Sequence, residues 1–165
     1  MGTSPAGGSG STAWSSAPST WTWSSCGALP HHEQITQHFC IQGWSGVAKW
    51  GGVSMRTIVD LVKPRPEAKW VVFYSLGEGA DKVYYDAHPI EHMGHHLTML
   101  AYDMNDEPLS FGHGAPLRLR NENELGFKQV KWIKGIEFVA HYAELGSGYG
   151  GYNEDHEFFG YRQSI

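Results

Sequence analysis

Residues 37–52 read QHFCIQGWSGVAKWGG, and the rest of the chain is organised around this stretch. A short strand is predicted over residues 35–39, and it delivers Cys40 at its end. Glycines at positions 43, 46, 51 and 52 then predict turns and close backbone approach. Loops that begin at strand ends commonly carry functional side chains. Cys40 is therefore the first candidate for a functional residue.

Hydrophobic patterning predicts one clear helix and several strands in the remaining sequence. Apolar side chains at helical spacing over residues 54–62 follow Ser54, a possible N-cap, and stop before Pro64. Short apolar runs predict strands at residues 70–74, 84–86, 99–104, 117–120 and 132–142, turns at 77–79 and 105–106, a brief helix at 89–92 and a coil at 146–160. The fold class is therefore a mixed, strand-rich α+β domain.

Composition excludes several classes of function. The chain has 165 residues and a formal charge of -5, which disfavours a nucleic-acid or membrane-surface binder because those need a basic face. No apolar run approaches a membrane span, and the amino terminus lacks a basic region followed by an apolar block. We therefore expect a soluble protein without an export signal, which favours the cytoplasm. The two cysteines allow at most one disulfide.

Residues 1–27 differ in character from the rest of the chain. They are mostly Gly, Ser, Thr, Ala and Pro with scattered tryptophans, which predicts a disordered leader ahead of a domain at residues 28–165. The genetic code offers a second interpretation: a one-base shift across residues 21–27 can encode LDLEQLR, a helix-like entry into Ala28. We hypothesise that a single-base insertion or deletion near Gly27 has misframed the upstream residues.

The chemistry of Cys40 allows two functional interpretations besides simple packing. Polar neighbours and flanking glycines leave one side of the thiol open, and a thiolate binds soft or high-valent metal centres. A cysteine protease would instead pair the thiol with a histidine base. His38 shares a strand face with Cys40, so the residues alone leave that alternative open.

A basic cluster follows at residues 113–134, HGAPLRLRNENELGFKQVKWIK. It contains Arg118, Arg120, Lys128, Lys131 and Lys134. One interpretation is a solvated face. The other is an anion site, in which Gly126 permits close approach while Arg118 and Lys131 supply charge for a phosphate.

A histidine-rich segment offers a third candidate site. His92, His95 and His96 lie close in sequence, and a pair of histidines at helical spacing can bind zinc. Gly94 and Pro89 make a continuous helix doubtful, so these side chains are also explained by ordinary hydrogen bonding.

Five motifs together resemble the molybdenum-cofactor domain of the sulfite oxidase family. They occur in the family's order and are CIQGWSGVAKWGGV, FYS, LAYDMNDEPL, HGAPLRL and GFKQVKWIKGIEF. The resemblance covers residues 28–165. It implies the sulfite oxidase-type molybdopterin-binding fold, incomplete at its amino end, because family members carry upstream residues that residues 1–27 do not resemble.

The resemblance implies a molybdenum-molybdopterin cofactor with one protein thiolate, which Cys40 matches. The positions that match the family's other cofactor contacts are Ser75, His113, Arg118, Gln129, Val130 and Lys131. Two of these, Arg118 and Lys131, are the cations singled out above on charge alone.

The family also implies oxygen-atom transfer of the sulfite oxidase or sulfoxide reductase type. Residues 41–44 bring no cation, which weakens sulfite as a substrate, and Cys-x-x-x-Trp-Ser is more similar to the branch with methionine sulfoxide reductases. The chain has no Cys-x-x-Cys-His haem motif, so we expect an external electron-transfer partner beside a small-molecule substrate. The alternatives are a non-catalytic remnant of the fold that binds no cofactor, and the zinc protein described above.

Overall fold

The computed structural model describes residues 26–76 and 84–156. Its elements are, in chain order, β1 (His32–Phe39), β2 (Ser45–Ser54), α1 (Met55–Val62), β3 (Trp70–Ser75), β4 (Tyr85–Pro89), a 3-10 turn (Ile90–Gly94), β5 (Thr98–Met104), β6 (Glu107–Pro108), a 3-10 turn (Phe111–His113), β7 (Arg118–Asn121), a 3-10 turn (Gly126–Lys128), β8 (Ile133–Val139) and α2 (Tyr152–Asp155). The strand-rich α+β prediction is confirmed. The predicted turn at 77–79 and residues 1–25 of the predicted leader lie outside the described residues.

Two antiparallel sheets form the framework. The larger sheet has the order β1-β2-β5-β6, with β7 also paired to β5. The smaller sheet has the order β4-β3-β8. The main apolar core contains residues of both sheets and of α1, among them Val53, Leu100, Phe73, Phe138 and Met55. The core therefore lies between one face of the larger sheet and the smaller sheet.

The helix α1 closely matches its prediction. Ser54 occupies the N-cap position in an extended conformation, although its side chain makes no capping hydrogen bond. The helix ends at Lys63, whose left-handed backbone donates its N–H to the carbonyl oxygen of Val59. Pro64 follows directly, and a proline cannot continue the helical hydrogen bonding. No helix among the described residues is long and apolar enough to cross a membrane.

Strand β2 corrects the sequence prediction of successive turns over the glycines after Cys40. Strand β2 runs for ten residues, and its first eight pair with β1, from Phe39 opposite Ser45 to His32 opposite Gly52. Glycine is usually disfavoured inside strands, but a side chain at Gly52 would begin 2.0 Å from the carbonyl oxygen of Leu100. The glycine is thus required by close approach of β5, at a register shift between Gly51 and Gly52.

Candidate cofactor site

Cys40 opens the loop of the hairpin between β1 and β2. Its backbone N–H donates to the carbonyl oxygen of Trp44 over 3.0 Å, and its own carbonyl oxygen accepts from Gly43 N–H over 3.0 Å. Gly43 has a φ of 91°, a left-handed conformation that favours glycine. The thiol is free and partly exposed. A turn fixed by its own backbone bonds therefore presents Cys40 at the end of a strand, as predicted.

Two arginines of β7 pack on the indole ring of Trp50. Arg118 and Arg120 alternate along the strand and so share one face of the sheet. Their guanidinium carbons lie 4.9 Å and 4.3 Å from the centre of the Trp50 ring, within the range of a cation–π contact. Both arginines are buried. This face of the larger sheet is therefore cationic, in contrast to the apolar face that carries the core.

Side chains join β1 to β7 across that face. Arg120 Nη1 donates to His38 Nδ1 over 2.7 Å, and Arg120 Nη2 donates to Glu122 Oε1 over 2.6 Å. Glu122 Oε1 also accepts from Thr36 Oγ1 over 2.9 Å. Because His38 and Thr36 belong to the strand that ends beside Cys40, these bonds bring the end of β1 alongside the arginines. We call residues 36–40 the Cys40 arm.

The structure brings three of the predicted site residues together around Gly114. Arg118 Nη1 donates to the carbonyl oxygen of His113 over 3.0 Å, and Lys131 Nζ donates to that of Gly112 over 3.0 Å. Gly114, with a φ of 107°, packs so closely that a Cβ there would lie 2.9 Å from Lys131 and 3.1 Å from Arg118. We call His113, Arg118 and Lys131 the anion cluster.

Gln129 and Val130 precede Lys131 and have different surroundings. The Val130 side chain lies in the main core and its carbonyl oxygen accepts from Leu119 N–H, which leaves its own backbone N–H for a ligand. Gln129 Nε2 donates to the carbonyl oxygen of Glu124 over 3.0 Å, while its buried Oε1 has no hydrogen-bond partner among the described residues. Gln129 and Val130 therefore fix the position of Lys131, through the hydrogen bond to Glu124 and through the core contacts of Val130.

Gly126 connects the segment of residues 129–131 to the Cys40 arm. A Cβ at Gly126 would lie 2.3 Å from His38 Nε2 and 3.2 Å from the carbonyl oxygen of Phe39, the residue before Cys40. The prediction that Gly126 permits close approach is thus met, with the protein's own β1 strand as the approaching group.

Ser75 ends β3 and is buried at 3% exposure. Its hydroxyl donates to the carbonyl oxygen of Leu76 over 3.3 Å, and its backbone pairs with Ile133. Leu76 N–H donates to the carbonyl oxygen of Trp132 over 2.7 Å. The structure therefore places Ser75 beside the residues that follow Lys131, through backbone contacts.

Electrostatics make the anion cluster a site that lacks a counter-charge. Burial, together with repulsion by Arg120, lowers the pKa of Arg118 to about 9, with partial compensation from Glu122. Burial and the charge of Arg118 lower the pKa of Lys131. The Nε atoms of Arg118 and Arg120 and the Nε1 atom of Trp50 are buried without a hydrogen-bond partner among the described residues. An anion bound beside Arg118 and Lys131 would offset the cost of holding these two charges close together.

Lys128 belongs to the predicted basic cluster, but it does not face an anion site. Its Nζ atom lies 2.6 Å from Asp86 Oδ1 and 2.6 Å from Glu154 Oε1, and its side chain is 2% exposed. No local pattern indicated this network, because Asp86 and Glu154 come from distant parts of the chain. Lys134 is exposed on β8.

The histidine-rich segment does not form the zinc site considered above. His92 Nδ1 lies 3.8 Å from Glu124 Oε1 and 3.5 Å from Asn121 Nδ2, while the ring centres of His95 and His96 lie 4.5 Å apart with the rings tilted by 43°. Within residues 26–76 and 84–156, no three His, Cys, Asp or Glu side chains are grouped to hold a metal ion. The zinc alternative therefore has no ligand set in the described part of the chain.

The protease alternative requires His38 to act as a base. Burial, followed by the charges of Arg120, Arg118 and Lys131, lowers the pKa of His38 to about 4. Arg120 also donates to its Nδ1 atom. A histidine with so low a pKa and one nitrogen already engaged is a poor general base near neutral pH, which disfavours that alternative.

A family model described as "Oxidoreductase molybdopterin binding domain" matches residues 13–145. The chain belongs to this family of molybdopterin-binding oxidoreductases. The match includes residues 13–27 of the predicted leader. The division of the chain at residue 27 stays a prediction, as does the hypothesis of a frame shift.

Relatives and solved structures agree with this family. The chain is 33% identical over 135 residues to "Putative protein-methionine-sulfoxide reductase subunit YedZ1" of Azospira oryzae, covering 82% of this chain and 47% of the relative. It is 32% identical over 123 residues to "Protein-methionine-sulfoxide reductase catalytic subunit MsrP" of Campylobacter jejuni, covering 67% of this chain and 41% of the relative. The chain thus spans less than half the length of these curated relatives.

A solved structure confirms the predicted sulfite oxidase-type fold. The sulfane dehydrogenase SoxCD from Paracoccus pantotrophus superposes with a TM-score of 0.67 at 21% identity, covering 82% of this chain and 39% of that chain. Identity at this level supports the fold alone. The family resemblance drawn from the sequence motifs is confirmed by the family match, which makes the chain a member of a family of molybdopterin-binding oxidoreductases.

Proposed function

We propose that this chain is the cofactor-binding part of a molybdenum-dependent oxidoreductase that transfers oxygen atoms to or from a small molecule, of the sulfoxide reductase type. The observation that carries the proposal is the juxtaposition of a free, partly exposed Cys40 with the buried Arg118, whose Nε atom has no hydrogen-bond partner among the described residues. The alternative of a remnant that binds no cofactor leaves that buried donor unexplained.

The residues present fit a phosphate-bearing pterin cofactor. The Nε atom of Arg118 is buried without a partner among the described residues, and Lys131 is held beside it across Gly114. A phosphate is the anion that such a pair of cations and nearby backbone groups favours. Cys40 supplies a soft thiolate, the ligand type that suits a high-valent molybdenum.

Each predicted site residue then has a role in binding. Cys40 would hold the metal, and Arg118 and Lys131 would hold the phosphate together with the backbone of Gln129 and Val130. His113 and Ser75 would contribute to holding the pterin. When bound, the cofactor supplies the two-electron chemistry of oxygen-atom transfer, and the protein orients it and shapes the pocket.

The loop after Cys40 favours a neutral substrate over sulfite. Its side chains include Trp44, which is 55% exposed and lies 5.6 Å from the His38 ring, and the loop carries no cation. A sulfite dianion would require positive charge there, whereas a sulfoxide requires none. Methionine sulfoxide, which the names of two relatives specify, is the substrate that we test first. Electrons come from a separate partner protein.

Metal analysis together with a substitution at Cys40 tests the proposal. We expect close to one molybdenum per purified chain, and we expect Cys40→Ser to abolish reduction of methionine sulfoxide with little effect on thermal unfolding. The matched control is Cys26→Ala, which removes the other cysteine, buried in the core at 5% exposure, and should keep the metal. A chain without molybdenum, or normal turnover in Cys40→Ser, would contradict the proposal; the first result would favour the remnant.

A further inference from the structure

Arg120 is the largest fully buried side chain in the described part of the chain, and the proposed function gives it no role. A buried guanidinium destabilises a protein unless its charge and donors are matched. Two of its nitrogens are matched, because Nη1 donates to His38 and Nη2 donates to Glu122. Arg120 is therefore held in one position by specific hydrogen bonds.

These bonds hold β1 at successive inward positions. His38 contacts Arg120 directly, at 2.7 Å. Glu122 Oε1 extends the connection, because it also accepts from Thr36 Oγ1 over 2.9 Å and from Gln34 Nε2 over 3.2 Å. The three β1 residues are two apart and so share one face of the strand. Arg120 and Glu122 together fasten this face of β1 to β7.

His38 is the contact nearest to the metal ligand. It precedes Cys40 by two residues, a distance of about 7 Å along an extended chain. Its ring lies between two parts of the site: Nε2 would be 2.3 Å from a Cβ at Gly126, and Trp44 lies 5.6 Å away on the other side of the hairpin loop. A shift of His38 would therefore move the Cys40 arm relative to the cofactor segment.

We propose that Arg120 is a positioning residue, which fixes the Cys40 thiol relative to the anion cluster by holding His38. Arginine suits this role because its planar fork bonds two acceptors at once while its face stacks on Trp50 at 4.3 Å. Arg118 packs on the same indole ring at 4.9 Å. The Trp50 ring therefore contacts both Arg120, which positions the thiolate, and Arg118, which binds the phosphate. The inference rests on the proposed role of Cys40 as a metal ligand.

Alkylation of the cofactor-free chain measures the position of Cys40 without any requirement for activity. We expect Arg120→Lys to raise the rate of Cys40 alkylation by iodoacetamide about threefold or more, because a single ammonium cannot hold both His38 and Glu122 and local opening exposes the thiol. Cys26, the other cysteine, is buried and should stay protected, so it reports an intact fold in the same sample. Arg56→Lys, an exposed position on α1, is the matched control and should alter neither rate.

A second variant decides the test if Arg120→Lys also exposes Cys26. His38→Phe keeps the ring volume against Gly126 and the bond between Arg120 and Glu122, but it accepts no hydrogen bond. It should raise Cys40 alkylation in the same way. An unchanged Cys40 rate in His38→Phe, or in Arg120→Lys with Cys26 protected, would overturn the proposal.

The loaded protein supplies a readout that a purely structural role would not change. A thiolate-to-metal absorption band depends on the orientation of the sulfur, so Arg120→Lys should shift this band when absorbance is scaled to bound molybdenum. An unshifted band would overturn the positioning role. A chain that holds no molybdenum, yet shows the alkylation difference, would contradict the proposed function and support the attachment of the Cys40 arm by Arg120.

Discussion

Lys128 and Lys131 lie three residues apart in one basic stretch, and the fold gives them opposite surroundings. Lys128 is buried, with Asp86 and Glu154 each 2.6 Å from its Nζ atom. Lys131 is partly exposed, donates to the carbonyl oxygen of Gly112 and lies 4.4 Å from the centre of the Trp132 ring. The first lysine is neutralised inside the protein, and the second faces a carbonyl oxygen and an aromatic ring.

The pKa values of the two lysines shift in opposite directions, in agreement with these surroundings. Burial lowers the pKa of Lys128, but the charges of Asp86 and Glu154 outweigh it, so the net direction is upward. Burial and repulsion by Arg118 lower the pKa of Lys131. A charged group whose pKa falls on burial is one that still needs a counter-ion. The pair teaches that the number of cations in a sequence does not measure the charge of a site.

The two arginines of β7 show the same division at shorter range. Arg120 is paired with Glu122 at 2.6 Å, whereas Arg118 donates to a carbonyl oxygen of His113. Two of the five cations in the stretch are thus compensated by buried carboxylates, and two are left for an outside anion. The fifth, Lys134, is exposed. The first two cations stabilise the fold, and we propose that Arg118 and Lys131 bind the cofactor.

Removal of the Lys128 charge should produce the largest change in stability. We expect Lys128→Met to lower the free energy of unfolding by about 3–5 kcal/mol, because it leaves Asp86 and Glu154 buried without a cation. Lys131→Met, the same substitution three residues away, should alter it by less than about 1 kcal/mol. Urea denaturation of the cofactor-free chains measures both. Equal effects of the two substitutions would remove the distinction between a structural and a binding lysine.

Removal of the Arg118 charge should instead act on cofactor retention. We expect Arg118→Gln to weaken cofactor binding about 10- to 100-fold, since a hydrogen bond to a charged group contributes about 1.5–3 kcal/mol. Molybdenum per chain after extended dialysis measures the loss. Lys134→Gln removes an exposed cation of the same stretch and should retain the wild-type content. Full retention of molybdenum by Arg118→Gln would mean that Arg118 does not bind the phosphate of the cofactor.

Local pattern was enough to predict much of the fold. The helix α1 and the strands β3, β5, β7 and β8 follow from apolar runs, from helical apolar spacing and from proline, because such local patterns mark segments that are buried in the fold. Strand β2 was missed since its glycines are dictated by the close approach of β5, a contact between residues about fifty positions apart. Non-local packing of this kind leaves no mark in the local pattern.

The site shows the same limit. The sequence pointed to Cys40, Arg118 and Lys131, because thiols and cations near glycines carry recognisable chemistry. It did not indicate that Glu154 would neutralise Lys128 or that His38 would meet Arg120, since each partner lies on a distant strand or helix. The alternation of Arg118 and Arg120 was the one available signal, as it places both side chains on a single face.

The smallest effect that separates the two lysines concerns pH. The pKa of Lys131 is below that of a free lysine, so its ammonium loses its proton as the pH rises towards 10.5, and its attraction for a phosphate is lost with it. Below that pKa the lysine is charged and binding is at full strength. By linkage, a bound phosphate raises the pKa, so binding takes up a proton at alkaline pH.

We therefore expect the loaded protein to release its cofactor a few-fold faster at pH 10 than at pH 8, at constant ionic strength, since one charge-assisted bond weakens. Lys131→Arg should make the profile shallower and leave the part that comes from Arg118, whose pKa of about 9 lies in the same range. Lys128 should contribute no slope here, because its pKa is raised and its proton stays bound. Molybdenum released over time measures the rates. The same pH profile in wild type and Lys131→Arg would show that Lys131 does not bind the anion, and the contrast between the two lysines would then reduce to burial alone.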